Sequence, residues 1–160
     1  MPSTIPEGYT TVTPWIISAD TPQLIDFVVA AFDGVELGRT PNPDGSIGHA
    51  EIRIGDAVVM AFDAPPGIAP MPAFIRLYVQ DARKGFARAL EAGATEVTKP
   101  TLLAFGDRVA RVRDPLGNIW WLQQHVEDVA AEELQRRWTD PAWSTPMAYV
   151  QDSLAHALRG

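Results

Sequence analysis

The chain has 160 residues, 46% of them hydrophobic, a formal charge of −7 and an isoelectric point near 4.8. That length fits one compact domain or two small halves sharing a core, and the acidic balance argues against a nucleic-acid partner, whose binding rests on a basic surface. The absence of cysteine excludes disulfides, thiolate metal sites and a cysteine nucleophile.

The opening MPSTIPEGYT has neither the basic region nor the apolar core of a signal peptide. No apolar run approaches the ~20 residues that span a bilayer. A cytoplasmic protein without a membrane partner is the expectation.

Residues 1–10 read as an arm. Val12–Ser18 is rich in β-branched and aromatic residues and predicts a strand, with an unpaired side at Pro14. Asp20 or Thr21 can cap a helix that has Pro22 in its first turn, Leu24, Phe27, Val28 and Ala31 on one face, and Gly34 at its end. Val35–Arg39 predicts a short strand, residues 41–45 a turn, and Ile47–Ile54 with Ala57–Phe62 a hairpin about Gly55-Asp56. Residues 63–72 hold four prolines and read as a linker.

The order then repeats. Phe74–Val79 predicts a strand. Asp81 caps a helix over Arg83–Ala92, with Phe86, Ala89 and Leu90 on one face, and Gly93 closes it. Thr95–Thr98 is a short strand and Lys99–Gly106 a loop. Arg108–Arg113 and Ile119–Gln124 form a hairpin about the turn Asp114-Pro115-Leu116-Gly117-Asn118. From Asp20 to Asp81 the offset is 61 residues and from Gly55 to Gly117 it is 62. Agreement between two independent landmarks predicts a pseudo-symmetric domain of two strand–helix–strand–strand–strand modules, an α+β fold.

Residues 126–160 belong to neither repeat. Asp128 can cap a helix reaching about Trp138, with Leu134 on the same face as Trp138. Thr139–Pro146 reads as a loop and Met147–Leu158 as a second helix. Trp138, Trp143 and Tyr149 predict a tail that docks on the domain, covers a cavity mouth or joins a dimer contact.

A duplicated βαβββ unit whose second copy ends in Asp-Pro-Leu-Gly-Asn resembles the vicinal oxygen chelate superfamily, which contains glyoxalase I, bleomycin-resistance proteins and extradiol dioxygenases. The phrases HAEIRIGDAVVM and GDRVARVRDPLGNIWW are similar to its uncharacterised bacterial glyoxalase-like branch. The likeness covers about residues 11–125. It implies one domain over residues 1–160, with module one at 11–62, linker 63–72, module two at 73–125 and a C-terminal helical tail at 126–160. It also implies a cavity enclosed by the sheets, and a homodimer. Family enzymes hold a divalent metal on His, Gln or Glu of the first and last strands of each module. The matching positions here are Thr13, Met60, Phe74 and Trp121, poor ligands for a hard or borderline ion. The resemblance therefore implies no metal cofactor at the usual site.

Alternation along the strands divides their faces independently of the resemblance. Ala50, Ile52 and Ile54 are expected against the helix, with His49, Glu51 and Arg53 opposite. Ile75, Leu77 and Val79 oppose Phe74, Arg76 and Tyr78. Thr13, Trp15, Ile119, Trp121 and Gln123 are expected to face inward. Trp120 and Trp121 must face opposite ways, Trp120 toward the core. On the Arg108–Arg113 strand the pattern does not say which face looks in. Arg108, Arg111 and Arg113 either hold an anionic ligand or fix the hairpin through Asp107 and Asp114.

These residues define the candidates. Trp15, His49, Glu51, Phe74, Arg76, Tyr78, Arg111, Trp121 and Gln123 form the expected ligand-binding set, an apolar wall with a few orienting polar groups. His49 and Glu51 are the candidate catalytic pair, as general base and orienter or as ligands of a displaced metal, and otherwise form a polar network with an arginine. His125 and Glu127 could complete such a site, or mark a solvated strand end. The expected function is small-molecule binding of an aromatic or cationic ligand without a metal. The alternatives are a metal-dependent lyase, isomerase or dioxygenase-type enzyme using His49 and Glu51, and an interaction protein with a closed cavity.

Overall fold

The computed structural model describes residue 1 and residues 3–160. The chain divides into two compact units, Met1–Ala73 with Pro115–Asn118, and Phe74–Asp114 with Ile119–Gly160. Each contains a four-stranded sheet of the same topology.

In the first unit the elements are β1 (Trp15–Ser18), α1 (Thr21–Phe32), β2 (Val35–Pro41), β3 (Ile47–Ile54) and β4 (Ala57–Asp63), with sheet order β1-β4-β3-β2. β1 runs parallel to β4, pairing Trp15 with Met60. It starts three residues later than expected, because Pro14 has no N–H to pair and contributes only its carbonyl, which accepts from Met60 N–H at 2.9 Å. The Asp20 side chain caps α1, accepting from Gln23 N–H at 2.9 Å. Its other end differs from expectation: Asp33, not Gly34, takes the left-handed conformation, with φ 54°. Gly34 is still demanded, since a Cβ there would fall 2.6 Å from Val28 Cγ1. Leu24, Ile25, Val28, Ala50, Ile52, Val59 and Ala61 are buried where α1 packs on the sheet.

Asp63 closes this unit. Its carboxylate accepts from Thr21 N–H and Ile47 N–H, both at 2.7 Å, so one side chain ties the start of α1 to the start of β3. Burial pushes its pKa up, but those two donors more than offset this and hold it below the usual value.

The second unit repeats the order with β5 (Phe74–Tyr78), α2 (Ala82–Glu91), β6 (Thr95–Leu102), β7 (Asp107–Arg113) and β8 (Ile119–His125), arranged β5-β8-β7-β6. Asp81 caps α2 through Arg83 and Lys84 N–H. Phe86 and Ala89 are buried, whereas Leu90, expected beside them, is 36% exposed. β6 runs four residues further than expected. Its register shifts between Thr98 and Thr101 absorb Pro100, which has no N–H to pair, and leave only residues 103–106 as loop. Gly106 in that loop has φ 92°, and a Cβ on it would meet Glu127 O at 2.2 Å. Its carbonyl accepts from both Val126 and Glu127 N–H.

Two further helices belong to this unit, α3 (Ala131–Trp138) and α4 (Pro141–Leu158). The expected cap at Asp128 is not used: α3 begins after Ala130 without a side-chain cap. The expected loop up to Pro146 is helix instead. Asp140 caps it by accepting from Ala142 N–H at 2.9 Å, and Pro141 sits in the first turn. That start signal outweighs the hydrogen bond lost at Pro146 inside the helix. α4 packs on β6 and α3. No helix among the described residues is long and apolar enough to cross a membrane.

Candidate functional site

Two faces collect the chemistry, one in each unit. In the first unit the face away from α1 carries Trp15, His49, Glu51 and Met60, with Glu51 opposite Met60 across β3 and β4. His49 Nε2 and Glu51 Oε1 are 3.0 Å apart, and the Tyr9 hydroxyl donates to the other carboxylate oxygen. Tyr9, then His49, lowers the Glu51 pKa; the Tyr9 pKa is raised by that same hydrogen bond. Glu51 is therefore a carboxylate at neutral pH with both oxygens engaged. Trp15 is 49% exposed, its ring 5.6 Å from that of His49 and 5.8 Å from that of Phe62. Arg53, expected on this face as a third member, is exposed and outside this hydrogen-bonded group.

In the second unit the register settles the face left open by the alternation of β7. Arg111 lies opposite Trp121 and Val109 opposite Gln123, while Arg76 and Tyr78 of β5 pair with Trp121 and Gln123 from the other side. Arg76, Trp121, Arg111 and Gln123 thus share one face. Ala110, Val112, Trp120 and Leu122 fill the opposite, buried one. Trp120 is fully buried and donates from Nε1 to Asp114 Oδ2 at 2.9 Å.

α4 covers one side of the second-unit face that carries Arg111 and Trp121. Val150 is buried with Leu103 and Val109, and Met147, Phe105 and Trp121 pack around them. Arg111, expected to meet a ligand, is 2% exposed beneath this helix. Its Nη1 donates to Val150 O at 2.8 Å and to Thr98 Oγ1 at 3.1 Å, and its guanidinium lies 3.8 Å from the Trp121 ring centroid. Arg113 likewise donates to Ala157 O at 2.6 Å, and Arg108 to Gln124 Oε1 at 3.1 Å. The three arginines anchor the tail and the sheet instead of reaching Asp107 and Asp114. The tail's aromatic residues divide: the Tyr149 hydroxyl accepts from Lys99 N–H, Arg137 stacks on Trp143, and Trp138 is 53% exposed.

The other side of the face is open. Phe74 and Tyr78 are 53% and 70% exposed on either side of Arg76, whose guanidinium sits 5.6 Å from the Tyr78 ring and 5.5 Å from the Trp121 ring. Arg76 Nη1 donates to Gln123 Oε1 at 2.8 Å. Gln123 Nε2 donates to Asp107, and Asp107 Oδ1 lies 2.7 Å from His125 Nδ1. The second ring nitrogen of His125 meets Asp128 at 3.0 Å. These two carboxylates, Asp107 first, raise the His125 pKa. Glu127 is not part of this set; it accepts from Arg137 at 2.5 Å.

Tyr9 is the member that the sequence pattern passed over, and Asp107, expected only as a partner of the hairpin arginines, joins Gln123 and His125 instead. Nothing marked Tyr9 in a Pro/Gly-rich arm. Asp107 was findable: the hairpin pairing Arg113 with Ile119 places Asp107 opposite His125 by counting.

The positions that the resemblance assigns to a metal do not fit one. Phe74 and Trp121 offer carbon rings 5.8 Å apart and an indole N–H that only donates, and Met60 offers a soft thioether. His49 and Glu51 bond to each other, and no group of three or more acidic or histidine side chains suited to a metal occurs among the described residues. Two surface depressions, of about 440 and 390 Å³, lie elsewhere: one between β6 and the end of α4, the other beside Asp44 and Asp63. Neither is lined by a candidate aromatic residue.

Comparison with known proteins agrees with this architecture. The family model described as Glyoxalase/Bleomycin resistance protein/Dioxygenase superfamily matches residues 9–122. An uncharacterized protein of Mycobacterium bovis is 41% identical over 135 residues, spanning 78% of this chain and 89% of its own. An uncharacterized protein of Mycobacterium tuberculosis shares the same identity over 79% of its length. Among solved structures, TioX from Micromonospora sp. ML1 superimposes with a TM-score of 0.62 at 25% identity, over 73% of this chain and 99% of its own. A glyoxalase/bleomycin resistance protein from Streptomyces sp. CB03234 has a TM-score of 0.57 at 23% identity, over 72% of this chain and 100% of its own. With its two βαβββ modules and a family match over most of its length, the chain belongs to the glyoxalase/bleomycin resistance protein/dioxygenase superfamily.

Proposed function

We infer that this member binds a small aromatic molecule without using a metal. One observation carries the reading: Phe74 and Tyr78 stand on an open sheet face on either side of Arg76, 53% and 70% exposed, while the same sheet buries Trp120 completely. Two rings flanking a polar group held in place on one face are the make-up of a small-molecule site, an apolar wall with an orienting group. Trp15, beside Glu51 and His49 in the first unit, is a third exposed ring. Of the two ligand classes open to the sequence, the aromatic is better supported on the second sheet. The guanidinium of Arg76 already lies over the Tyr78 and Trp121 rings, where a ligand cation would sit.

The test is a titration of the protein with neutral aromatic probes, such as 2-naphthalenemethanol, read by tryptophan fluorescence and calorimetry. Saturable binding that is weakened by Phe74→Ala and Tyr78→Ala is expected. Metal analysis accompanies it. Stoichiometric zinc, nickel, manganese or iron retained through purification, together with no probe binding, would replace this reading with a metal-dependent one.

A further inference from the structure

The open part of the second sheet carries a charge, Arg76, that no carboxylate among the described residues neutralises. Among the described residues Arg76 has no carboxylate partner; its one hydrogen bond is from Nη1 to Gln123, a neutral amide. Gln123 is 4% exposed and cannot turn its carbonyl oxygen elsewhere, because its Nε2 is committed to Asp107. Asp107 in turn is taken by Gln123 and His125. The carboxylate nearest in this hydrogen-bonded chain is thus held one residue away from the guanidinium, and the guanidinium is held at one corner.

That leaves the Nε–Nη2 edge of Arg76 without a partner. Two parallel N–H donors on a planar fork match the two oxygens of a carboxylate. Phe74 and Tyr78 follow on the same face two positions away on either side, at the ~7 Å spacing of alternate strand residues, which spans a single aromatic ring.

We propose that this face takes an aromatic carboxylate, its anionic group on the free edge of Arg76 and its ring against one of the two flanking rings, Phe74 or Tyr78. The proposal rests on the reading of the face as a surface for aromatic ligands and adds the charge. Electrostatics select against the cationic class, since an incoming cation meets Arg76 already seated on the rings.

Three probes with one ring system separate the two readings: 2-naphthoate, 2-naphthalenemethanol and a naphthyl trimethylammonium salt, each titrated into the full chain. Naphthoate is expected to bind about tenfold tighter than the alcohol, the advantage of one charge-assisted pair, and its affinity is expected to fall with added salt. Arg76→Met brings naphthoate down to the level of the alcohol, and Arg76→Lys, which keeps the charge but not the fork, falls between. Circular dichroism and the unfolding midpoint of both variants confirm that they fold. Equal binding of naphthoate and alcohol overturns the carboxylate and leaves the aromatic reading standing. Tightest binding of the ammonium salt overturns the carboxylate as well. Binding of none of the three overturns both readings, as does self-association of the chain that excludes the probes.

Discussion

The guanidinium of Arg111 lies 3.8 Å from the centre of the Trp121 ring; Arg111 is buried beneath α4 and Trp121 partly so, with Arg111 Nε and Trp121 Nε1 both lacking a hydrogen-bond partner among the described residues. Burial alone pulls the Arg111 pKa well below the ordinary arginine value, to about 10. On the scale of 1.36 kcal/mol for each pKa unit, that is a penalty of roughly 3 kcal/mol on the charged form. The stacking and two hydrogen bonds offset it in part.

Arg111→Met is therefore expected to be neutral or stabilising by up to about 2 kcal/mol, because a methionine fills similar space without a charge to desolvate. Arg111→Ala, which leaves a cavity, is expected to destabilise by about 2–4 kcal/mol. Urea unfolding measures both. A large loss in the methionine variant would show that the bonds to Val150 and Thr98 outweigh desolvation.

The docking of α4 rests on few contacts, and each can be removed. Tyr149→Phe takes away the acceptor of Lys99 N–H and is expected to cost about 1 kcal/mol. Val150→Ala, which removes the only fully packed side chain of that helix, is expected to cost about 2 kcal/mol. In both variants hydrogen exchange is expected to rise first in residues 141–158 and at Thr98 and Lys99. Uniform acceleration throughout the chain instead would mean that α4 does not open separately.

Asp63→Ala is expected to destabilise by about 2–3 kcal/mol, since it strands the N–H groups of Thr21 and Ile47. The sign with pH follows from its lowered pKa. The contribution of Asp63 is fully present above the unfolded value of about 3.9 and is lost as pH falls through the lower folded value. The wild type is thus expected to lose stability in acid faster than the variant, measured as unfolding midpoints between pH 6 and pH 2.

His125 titrates in the opposite sense. Its pKa is raised by Asp107 and Asp128, so its contribution is complete below the unfolded value of about 6.5 and disappears as pH rises through the folded value. NMR titration of its ring protons is expected to give a midpoint above the ordinary histidine value, moving toward that value in Asp107→Asn. Because Gln123 shares Asp107, the same variant is expected to shift the side-chain resonances of Arg76. Without that second shift, Asp107 and Arg76 are not linked through Gln123.

Much of this molecule is legible in its sequence because two signals are local. Alternation along Ile47–Ile54 and Phe74–Tyr78 puts Ala50 and Ile52 on the buried side and Phe74, Arg76 and Tyr78 on the open one. The aspartates at positions 20 and 81 mark both helix starts, because a carboxylate accepting the first free N–H groups needs no distant partner. What eluded the reading is long-range. Arg111 looked available for a ligand because nothing near it in sequence announces Val150, 39 positions on, lying over it. The tail differs for a local reason: Pro146 reads as a loop residue, but the cap at Asp140 with Pro141 in the first turn is the stronger signal and carries the helix through it.

Each repeat is finished by a segment from outside it. The arm supplies Tyr9 to Glu51, and α4 supplies the carbonyls of Val150 and Ala157 to Arg111 and Arg113. The five-element unit, although duplicated, is thus not self-sufficient in either copy. Anyone wishing to express one half alone, or to fuse two first halves into a symmetric protein, must carry the flanking piece along. Trimmed to its strands and helix, the first half would lose a donor to its ionised carboxylate, and the second would bare Leu103 and Val109 to water and lose the carbonyls that hold Arg111 and Arg113.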